Sequence, residues 1–207
     1  MAEAIDIHYC DEHLLVAGKP AGLLSVPGRL PENRDCVISR LQVSYPDVLT
    51  VHRLDQVTSG LMVFARGKML QSALSSMFER RQIDKRYEAL VEGLVEGEAG
   101  EVELPLICDW PNRPRQKVGF EAGKHALTRW RVLQHDTGSG RTRLELEPVT
   151  GRSHQLRVHL ASIGHPIVGD SFYGAAEAPR VCLHASRLSF MHPVEGVRLE
   201  FASAAPF

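Results

Sequence analysis

Short apolar segments along the chain predict a series of strands. Apolar residues recur over residues 5–9 and 14–17, on either side of Asp11 and Glu12, and predict a hairpin. A glycine- and proline-rich loop follows over residues 18–28. Further strands are predicted where apolar residues alternate or cluster, at residues 61–65, 87–91, 130–132, 144–146, 182–190 and 197–201.

Apolar residues at three- and four-residue spacing predict three helices. The first has Asp35 as its N-cap and ends before Pro46. The third starts near Ser153 and ends at Gly164. The second has an apolar face formed by Met69, Leu70, Ala73, Leu74, Met77 and Phe78. Because strands outnumber helices and short turns join several of them, we expect an α+β fold with a largely antiparallel sheet.

Size and composition indicate one soluble domain. The chain has 207 residues, of which 43% are hydrophobic, which suits a single core over residues 1–207. No apolar run approaches the roughly 18 residues that span a bilayer. The N-terminal segment carries acids where a signal peptide would be basic and then apolar. We therefore expect a cytoplasmic protein without a membrane segment, whose four separated cysteines are reduced and mostly buried.

Charge is balanced overall but uneven along the chain. The formal net charge is −1, so bulk electrostatics do not favour a polyanionic partner. Residues 88–109 contain seven acids and no Lys or Arg, whereas residues 110–131 contain six bases and one acid. Two solvated surfaces explain this distribution as well as a phosphate-binding face does.

Candidate chemistry concentrates at residues 51–66, VHRLDQVTSGLMVFAR. Here Arg53 and Asp55 lie in a short polar segment that Gly60 ends, ahead of the predicted buried strand. Taken alone, D-x-x-T-S is more typical of a turn or a helix cap than of a catalytic loop. A carboxylate beside an arginine, on a loop supported by a core strand, is nevertheless a common setting for catalysis.

Five blocks, in order, match one known family. They are AGKPAGLLSVPG at 17–28, HRLDQVTSG at 52–60, KRYEALVEG at 85–93, GRSHQLRVHLASIGHPIVGDSFYG at 151–174 and LHASRLSFMHP at 183–193. In these blocks the chain resembles the RluA family of pseudouridine synthases, which convert uridine in RNA to its C-glycosidic isomer. The resemblance implies the pseudouridine synthase fold, with helices flanking a mixed sheet and a central catalytic cleft. Many members carry an N-terminal RNA-binding module, and we expect none here because the blocks begin almost at once.

The resemblance also implies three catalytic residues. Asp55 matches the family's catalytic carboxylate. Arg157, in the GRSHQLR block, is expected to pair with Asp55 and to offset the desolvation that would otherwise favour the neutral acid. Tyr87 matches an active-site tyrosine that offers an aromatic face to uracil and a route for the C5 proton. Without the resemblance, Tyr87 on an alternating strand would be an ordinary core residue.

The reaction that the resemblance implies requires no cofactor, because it includes neither a redox step nor transfer of an external group. The carboxylate attacks the sugar or the base covalently, or acts on the sugar during an elimination, and the sequence leaves these paths open. The histidines follow no H-E-x-x-H pattern, and His154 and His159 are five residues apart, so we expect no metal site.

RNA is the partner that the resemblance implies. Because a stacked uridine is inaccessible, Arg53 is expected to enter the space that the flipped base leaves, or else to contact a phosphate. The segment WPNRPRQKV at residues 110–118 becomes a candidate RNA-contacting loop. The other side chains expected to contact RNA are His52, Arg113, Arg115, Lys117, Arg152 and His154.

Substrate choice is a finer inference. Blocks 20–30 and 104–118 resemble members that modify both a large-subunit ribosomal RNA hairpin and the anticodon stem-loop of transfer RNAs. One alternative is a synthase of transfer RNA only, and another is a protein that binds or remodels RNA without catalysis. We expect a monomer, because no heptad or exposed apolar repeat indicates an interface.

Overall fold

The computed structural model describes residues 4–207, apart from the side chain of Glu32. Its helices are α1 (Val37–Leu41), α2 (Lys68–Glu79) and α3 (Gln155–Ser162). Its strands are β1 (Asp6–Cys10), β2 (Leu14–Lys19), β3 (Val48–Thr50), β4 (Ser59–Arg66), β5 (Asp84–Glu92), β6 (Ala99–Glu103), β7 (Leu106–Cys108), β8 (Gln116–Val118), β9 (Leu127–Asp136), β10 (Arg141–Pro148), β11 (Leu183–Met191) and β12 (Arg198–Ala202). Strands thus outnumber helices, as the sequence predicts.

The chain divides into two compact units, and the first comprises the residues up to 85 together with residues 185–205. Its strands run in the order β1, β2, β4, β11, with β3 against β4 and β12 against β11. β1 and β2 form the predicted antiparallel hairpin, and β2 continues antiparallel to β4. Leu70 and Leu74 of α2 pack in one apolar cluster with Leu61 and Val63 of β4. β4 is therefore a core strand, buried from Ser59 to Ala65.

The second unit comprises residues 86–184 and 206–207. Its strands run in the order β5, β10, β9, β6, and each neighbouring pair is antiparallel. β10 alternates between buried and half-buried residues, which reflects its period-two sequence pattern. α3 lies against this sheet and against β8, which pairs separately with β7. Residues 155–160 of α3 are all buried, so this part of the helix is covered on every side, whereas Ser162 at its end is exposed.

Several local predictions need correction. Cys36, and not Asp35, is the N-cap of α1, and Asp35 instead forms an ion pair with Arg40 at 2.6 Å. Met69, which its spacing places on the apolar face of α2, is exposed. Only two of the four cysteines are buried, since Cys10 is exposed and Cys108 half-buried, but all four are free thiols.

The prediction of one domain over residues 1–207 stays a prediction, because the division into two compact units does not test whether either folds alone. Within residues 4–207, no helix combines the length and the apolar character needed to cross a membrane.

Candidate active site

The loop that carries Asp55 is held by Lys19, at the end of β2, and by Ser25, in the loop before α1. Ser25 binds both backbone groups of Leu54: its Oγ donates to the carbonyl at 2.8 Å and accepts from the N–H at 3.1 Å. The Nζ of Lys19, a residue only 2% exposed, donates to the carbonyl of Gln56 at 2.9 Å. The backbone on both sides of Asp55 is thereby fixed.

The Lys19 ammonium also binds the loop that follows β2. It donates to the carbonyls of Pro20 at 2.9 Å and Leu23 at 2.6 Å. The Gly22 N–H donates to the carbonyl of Gln56 at 2.8 Å, and the Gln56 side chain returns a bond to the Gly22 carbonyl. Because charged hydrogen bonds are the stronger class, this arrangement joins two segments that lie far apart in sequence. The block AGKPAGLLS therefore supports the loop of Asp55.

Asp55 and Arg53 differ in exposure. Asp55 is half-buried, and its carbonyl accepts from the Thr58 N–H at 3.1 Å, which closes a tight turn. Arg53 is exposed, so its guanidinium is accessible to a ligand. Leu54 between them is buried, which anchors this part of the loop.

Thr58, Ser59 and Gly60 return the chain from this turn into β4. Thr58 and Ser59 are buried. Gly60 has a φ of +115°, and a Cβ there would collide with the backbone of Ala185. Glycine is therefore required by both conformation and space. The presence of Thr-Ser-Gly in the motif is therefore explained by the structure alone, without a catalytic role.

His52 supports this loop through contacts with β4 and α2. Its Nε2 accepts a hydrogen bond from the Val63 N–H at 3.0 Å, and its ring stacks on Phe78 with centroids 4.4 Å apart. Burial lowers the pKa of His52 to about 3, and the nearby positive charge of Lys85 acts in the same direction. The imidazole is therefore neutral near pH 7. The RNA contact expected for His52 stays a prediction, and the observed contacts favour a supporting role.

Arg157 lies in α3 and is only 3% exposed. Its Nε and Nη2 donate to the two carboxylate oxygens of Asp170, at 2.6 and 2.7 Å. Asp170 is fully buried, so this is a bidentate ion pair removed from solvent. This ion pair fixes the plane of the guanidinium. A lysine has no planar group that could form the same bidentate contact. The pairing of Arg157 with Asp55, which lie in different units, stays a prediction.

Tyr173 connects Arg157 to the β7–β8 ribbon. The guanidinium of Arg157 lies 5.0 Å from the centre of the Tyr173 ring. The tyrosine oxygen accepts from the backbone N–H of Gln116 at 2.9 Å and lies 2.6 Å from Nδ1 of His154. His154 has a φ of +53° and precedes the first turn of α3. One side chain therefore contacts the buried arginine, the predicted RNA-contacting segment and His154.

Tyr87 lies on β5, opposite Leu146 of β10, and is half-buried. Its strand position agrees with the prediction, and its catalytic role stays a prediction. Arg152 is exposed, and its Nε donates to the carbonyl of His125 at 3.0 Å.

The three basic residues of segment 110–118 have different surroundings. The guanidinium of Arg113 lies 4.0 Å from the ring centre of Trp110. That of Arg115 lies 5.7 Å from the ring centre of Tyr173. Lys117 forms an ion pair with Asp109 at 3.4 Å. The hydrogen bond from Asn112, and after it the contact with Lys117, hold the pKa of the Asp109 carboxyl below its usual value. Only part of the local positive charge is therefore balanced within the loop.

The sequence pattern does not reveal four supporting residues, namely Lys19, Ser25, Asp170 and Tyr173. Each lies within a matched block, but its role depends on contacts with residues distant in sequence. The only local signals are a lysine at the end of an otherwise apolar strand and an aspartate next to a glycine. Across residues 4–207 no group of three or more potential ligand side chains could hold a metal ion.

The chain is similar to known proteins of one family. The family model for RNA pseudouridylate synthase matches residues 13–162. The chain is 55% identical over 195 residues to the dual-specificity RNA pseudouridine synthase RluA of Vibrio parahaemolyticus, with 91% of this chain and 78% of the relative covered. It is 49% identical over 203 residues to the protein of that name from Yersinia pestis, with coverage of 96% and 98%.

Solved structures give the same result for the fold. The structure of human RNA pseudouridylate synthase domain containing 1 superposes with a TM-score of 0.84 and 28% identity, over 99% of this chain and 85% of the human one. The α+β pseudouridine synthase fold predicted from the sequence is thereby confirmed. From the matched motifs, the family model and these relatives together, we conclude that the chain belongs to the RNA pseudouridylate synthase family and is an isomerase.

Proposed function

We propose that the chain isomerises specific uridines to pseudouridine in both large-subunit ribosomal RNA and the anticodon stem-loop of transfer RNAs. The observation that carries this proposal is the identity of 49 to 55%, over more than nine-tenths of the chain, to relatives named dual-specificity RNA pseudouridine synthases. The two RNA classes follow from the resemblance of residues 20–30 and 104–118 to such enzymes.

In the proposed reaction, Asp55 is the catalytic carboxylate. The bond between N1 of uracil and C1′ of the ribose breaks, the base turns while it stays bound, and C5 joins C1′. C5 then loses its proton and N1 gains one, so the product is an isomer of the substrate. The fixed backbone on both sides of Asp55 supports this assignment, because a catalytic group contributes most when it is held in a productive orientation.

Arg157 and Tyr87 complete the proposed catalytic group. Arg157 supplies a permanent positive charge that keeps a carboxylate ionised in a site from which a flipped base excludes water. Its bidentate bond to Asp170 supports this role because it fixes the guanidinium plane. Tyr87 offers an aromatic face to the uracil and a route for the C5 proton.

RNA binding is proposed for basic side chains outside this group. Arg53, beside Asp55, enters the space left by the flipped base. Arg113, Arg115, Lys117, Arg152 and His154 contact the surrounding backbone or loop. We further propose that the protein acts in the cytoplasm as a monomer and without a cofactor.

The experiment is tritium release from RNA labelled at uridine C5. An anticodon stem-loop and a ribosomal hairpin are assayed in parallel with the wild type, Asp55→Ala and Asp55→Asn. We expect release from both RNAs by the wild type. Each variant should lose activity by at least about 1,000-fold, because no other group replaces the carboxylate, while its RNA affinity changes little.

Each of the remaining outcomes would correct one part of the proposal. Release from one RNA alone would restrict the substrate to that class. Release by Asp55→Ala at the wild-type rate would remove Asp55 from the reaction. Tight binding of both RNAs without release by the wild type would favour a remodelling protein.

A further inference from the structure

Trp110 is an exposed indole at the turn between β7 and β8. It is 65% exposed, although tryptophan has the largest apolar surface of any side chain. The guanidinium of Arg113 lies 4.0 Å from its ring centre, within the range of a cation–π contact. Nothing in the apolar core of the second unit requires an indole at this position.

Hydrogen bonds within the turn hold the pair in place. The Asp109 N–H donates to the carbonyl of Arg115, and the Arg115 N–H donates to the carbonyl of Asn112. The Asn112 side chain donates to the Asp109 carboxylate at 2.8 Å. The Gln116 N–H donates to the hydroxyl of Tyr173. Because the turn is already ordered, binding of a ligand to Trp110 would not lose conformational entropy in the turn.

Arg113 differs from the other cations of the turn. Lys117 is paired with Asp109, and Arg115 lies over Tyr173. Arg113 forms no ion pair with any carboxylate in the described part of the chain. Because the Arg113 side chain is exposed, its guanidinium remains able to bind a phosphate beside the ring.

We propose that Trp110 and Arg113 form a binding site for one unpaired nucleotide of the RNA substrate, away from the isomerised uridine. The base stacks on the indole, and Arg113 binds the adjacent phosphate. The inference rests on the proposed function, since it concerns how that substrate is held. RNA suits the site better than a protein partner does, because an open aromatic face beside an unbalanced cation matches both the base and the phosphate of a nucleotide.

The first experiment uses tryptophan emission, because the chain has only two tryptophans, Trp110 and Trp130. In the Trp130→Phe variant, titration with an anticodon stem-loop should quench most of the Trp110 emission. In the matched Trp110→Phe variant, the emission of Trp130 should change little. Unchanged Trp110 emission at saturating RNA, in a variant that still releases tritium from that RNA, would overturn the proposal while the proposed function stands.

The second experiment identifies the contacted base. Each unpaired nucleotide of the stem-loop, other than the isomerised uridine, is replaced in turn by an abasic one. Quenching should be lost for a single position. If every abasic RNA quenches Trp110 as fully as the intact stem-loop does, no base stacks on the indole and the proposal fails.

Affinity supplies the third measurement. Trp110→Ala should weaken RNA binding by about 5- to 150-fold, the usual range for one stacked base, with a higher KM and a smaller change in kcat. Trp110→Phe should recover much of the loss. The control is Phe120→Ala, which removes another exposed aromatic, 78% exposed, and should bind like the wild type. If Trp110→Ala bound RNA with the same affinity as the wild type, the proposed nucleotide-binding site would be wrong.

Discussion

At the scale of single residues, the most constrained charge is that of Arg157. Burial of a guanidinium is costly unless its donors are satisfied, and Asp170 binds two of them with short bonds. Tyr173 adds an aromatic face at 5.0 Å. The residue is therefore specified as arginine by geometry as well as by charge.

Arg157→Lys tests this requirement. The charge is kept, but the planar bidentate bond is lost, so we expect kcat to fall by about 100-fold or more while RNA affinity changes by less than about 3-fold. The control is Arg129→Lys, which alters an exposed arginine paired with Glu101 at 3.5 Å and should leave both quantities unchanged. Wild-type turnover by Arg157→Lys would exclude Arg157 from the catalytic group.

At the scale of secondary structure, the periodic elements could be predicted and the short ones could not. The alternation of β10 and the apolar run of β4 are visible in sequence because each strand buries one or both faces. β6, AGEVE, has one buried residue, Val102, and leaves no periodic signal. The ribbon of β7 and β8 consists of three-residue strands, too short for any period to appear.

The β7–β8 ribbon presents the basic turn, and its contribution to RNA binding is measurable. Replacing Arg113, Arg115 and Lys117 by glutamine should weaken binding and reduce the slope of log affinity against log salt by about 2, since about 0.7 counterion is released per phosphate on single-stranded RNA. The measurement is a binding titration at several salt concentrations. The charge-matched control replaces Arg129, Arg131 and Arg198, which are exposed and paired with carboxylates. If both triple variants lower the slope equally, the turn has no specific role.

At the scale of the whole molecule, the family and fold could be inferred from sequence because the matched blocks cover most of the chain. The supporting contacts could not, because they form between blocks. Ser25 and Leu54 are 29 positions apart, and Lys19 and Gln56 are 37 apart. Asp170 is separated from Arg157 by 13 positions, too far for any local periodicity to relate them.

The stability of the fold should fall in acid through two groups in the first unit. The pKa of His52 is about 3 when folded and 6.5 ordinarily, so the unfolded chain binds the additional proton and stability is lost as pH falls from about 6.5 towards 3. Burial alone would raise the pKa of Asp11, but hydrogen bonds from Tyr9, two backbone amides and His192 together outweigh it and lower the pKa to about 2. Its contribution is present above pH 3.8 and is lost towards pH 2.

His52→Gln separates the two contributions. The glutamine amide oxygen can accept from the Val63 N–H but cannot be protonated, so the stability of the variant should fall less steeply than that of the wild type between about pH 6 and 4. Burial also lowers the pKa of His159, and its contribution remains in both proteins. One fully linked proton gives the wild type a slope of up to about 1.4 kcal/mol per pH unit over that interval. Urea unfolding across this range measures the difference. Parallel curves for the two proteins would show that His52 is not the titrating group.

The three carbonyls around the Lys19 ammonium resemble the coordination shell of a bound monovalent cation. Here the ion is covalently attached to the chain, so its occupancy cannot depend on the composition of the medium. A chelator or an exchange of potassium for sodium should consequently leave the order of the Asp55 loop unchanged. If the activity nevertheless changed with such ions, the change would reflect the folding of the RNA and not the order of this loop.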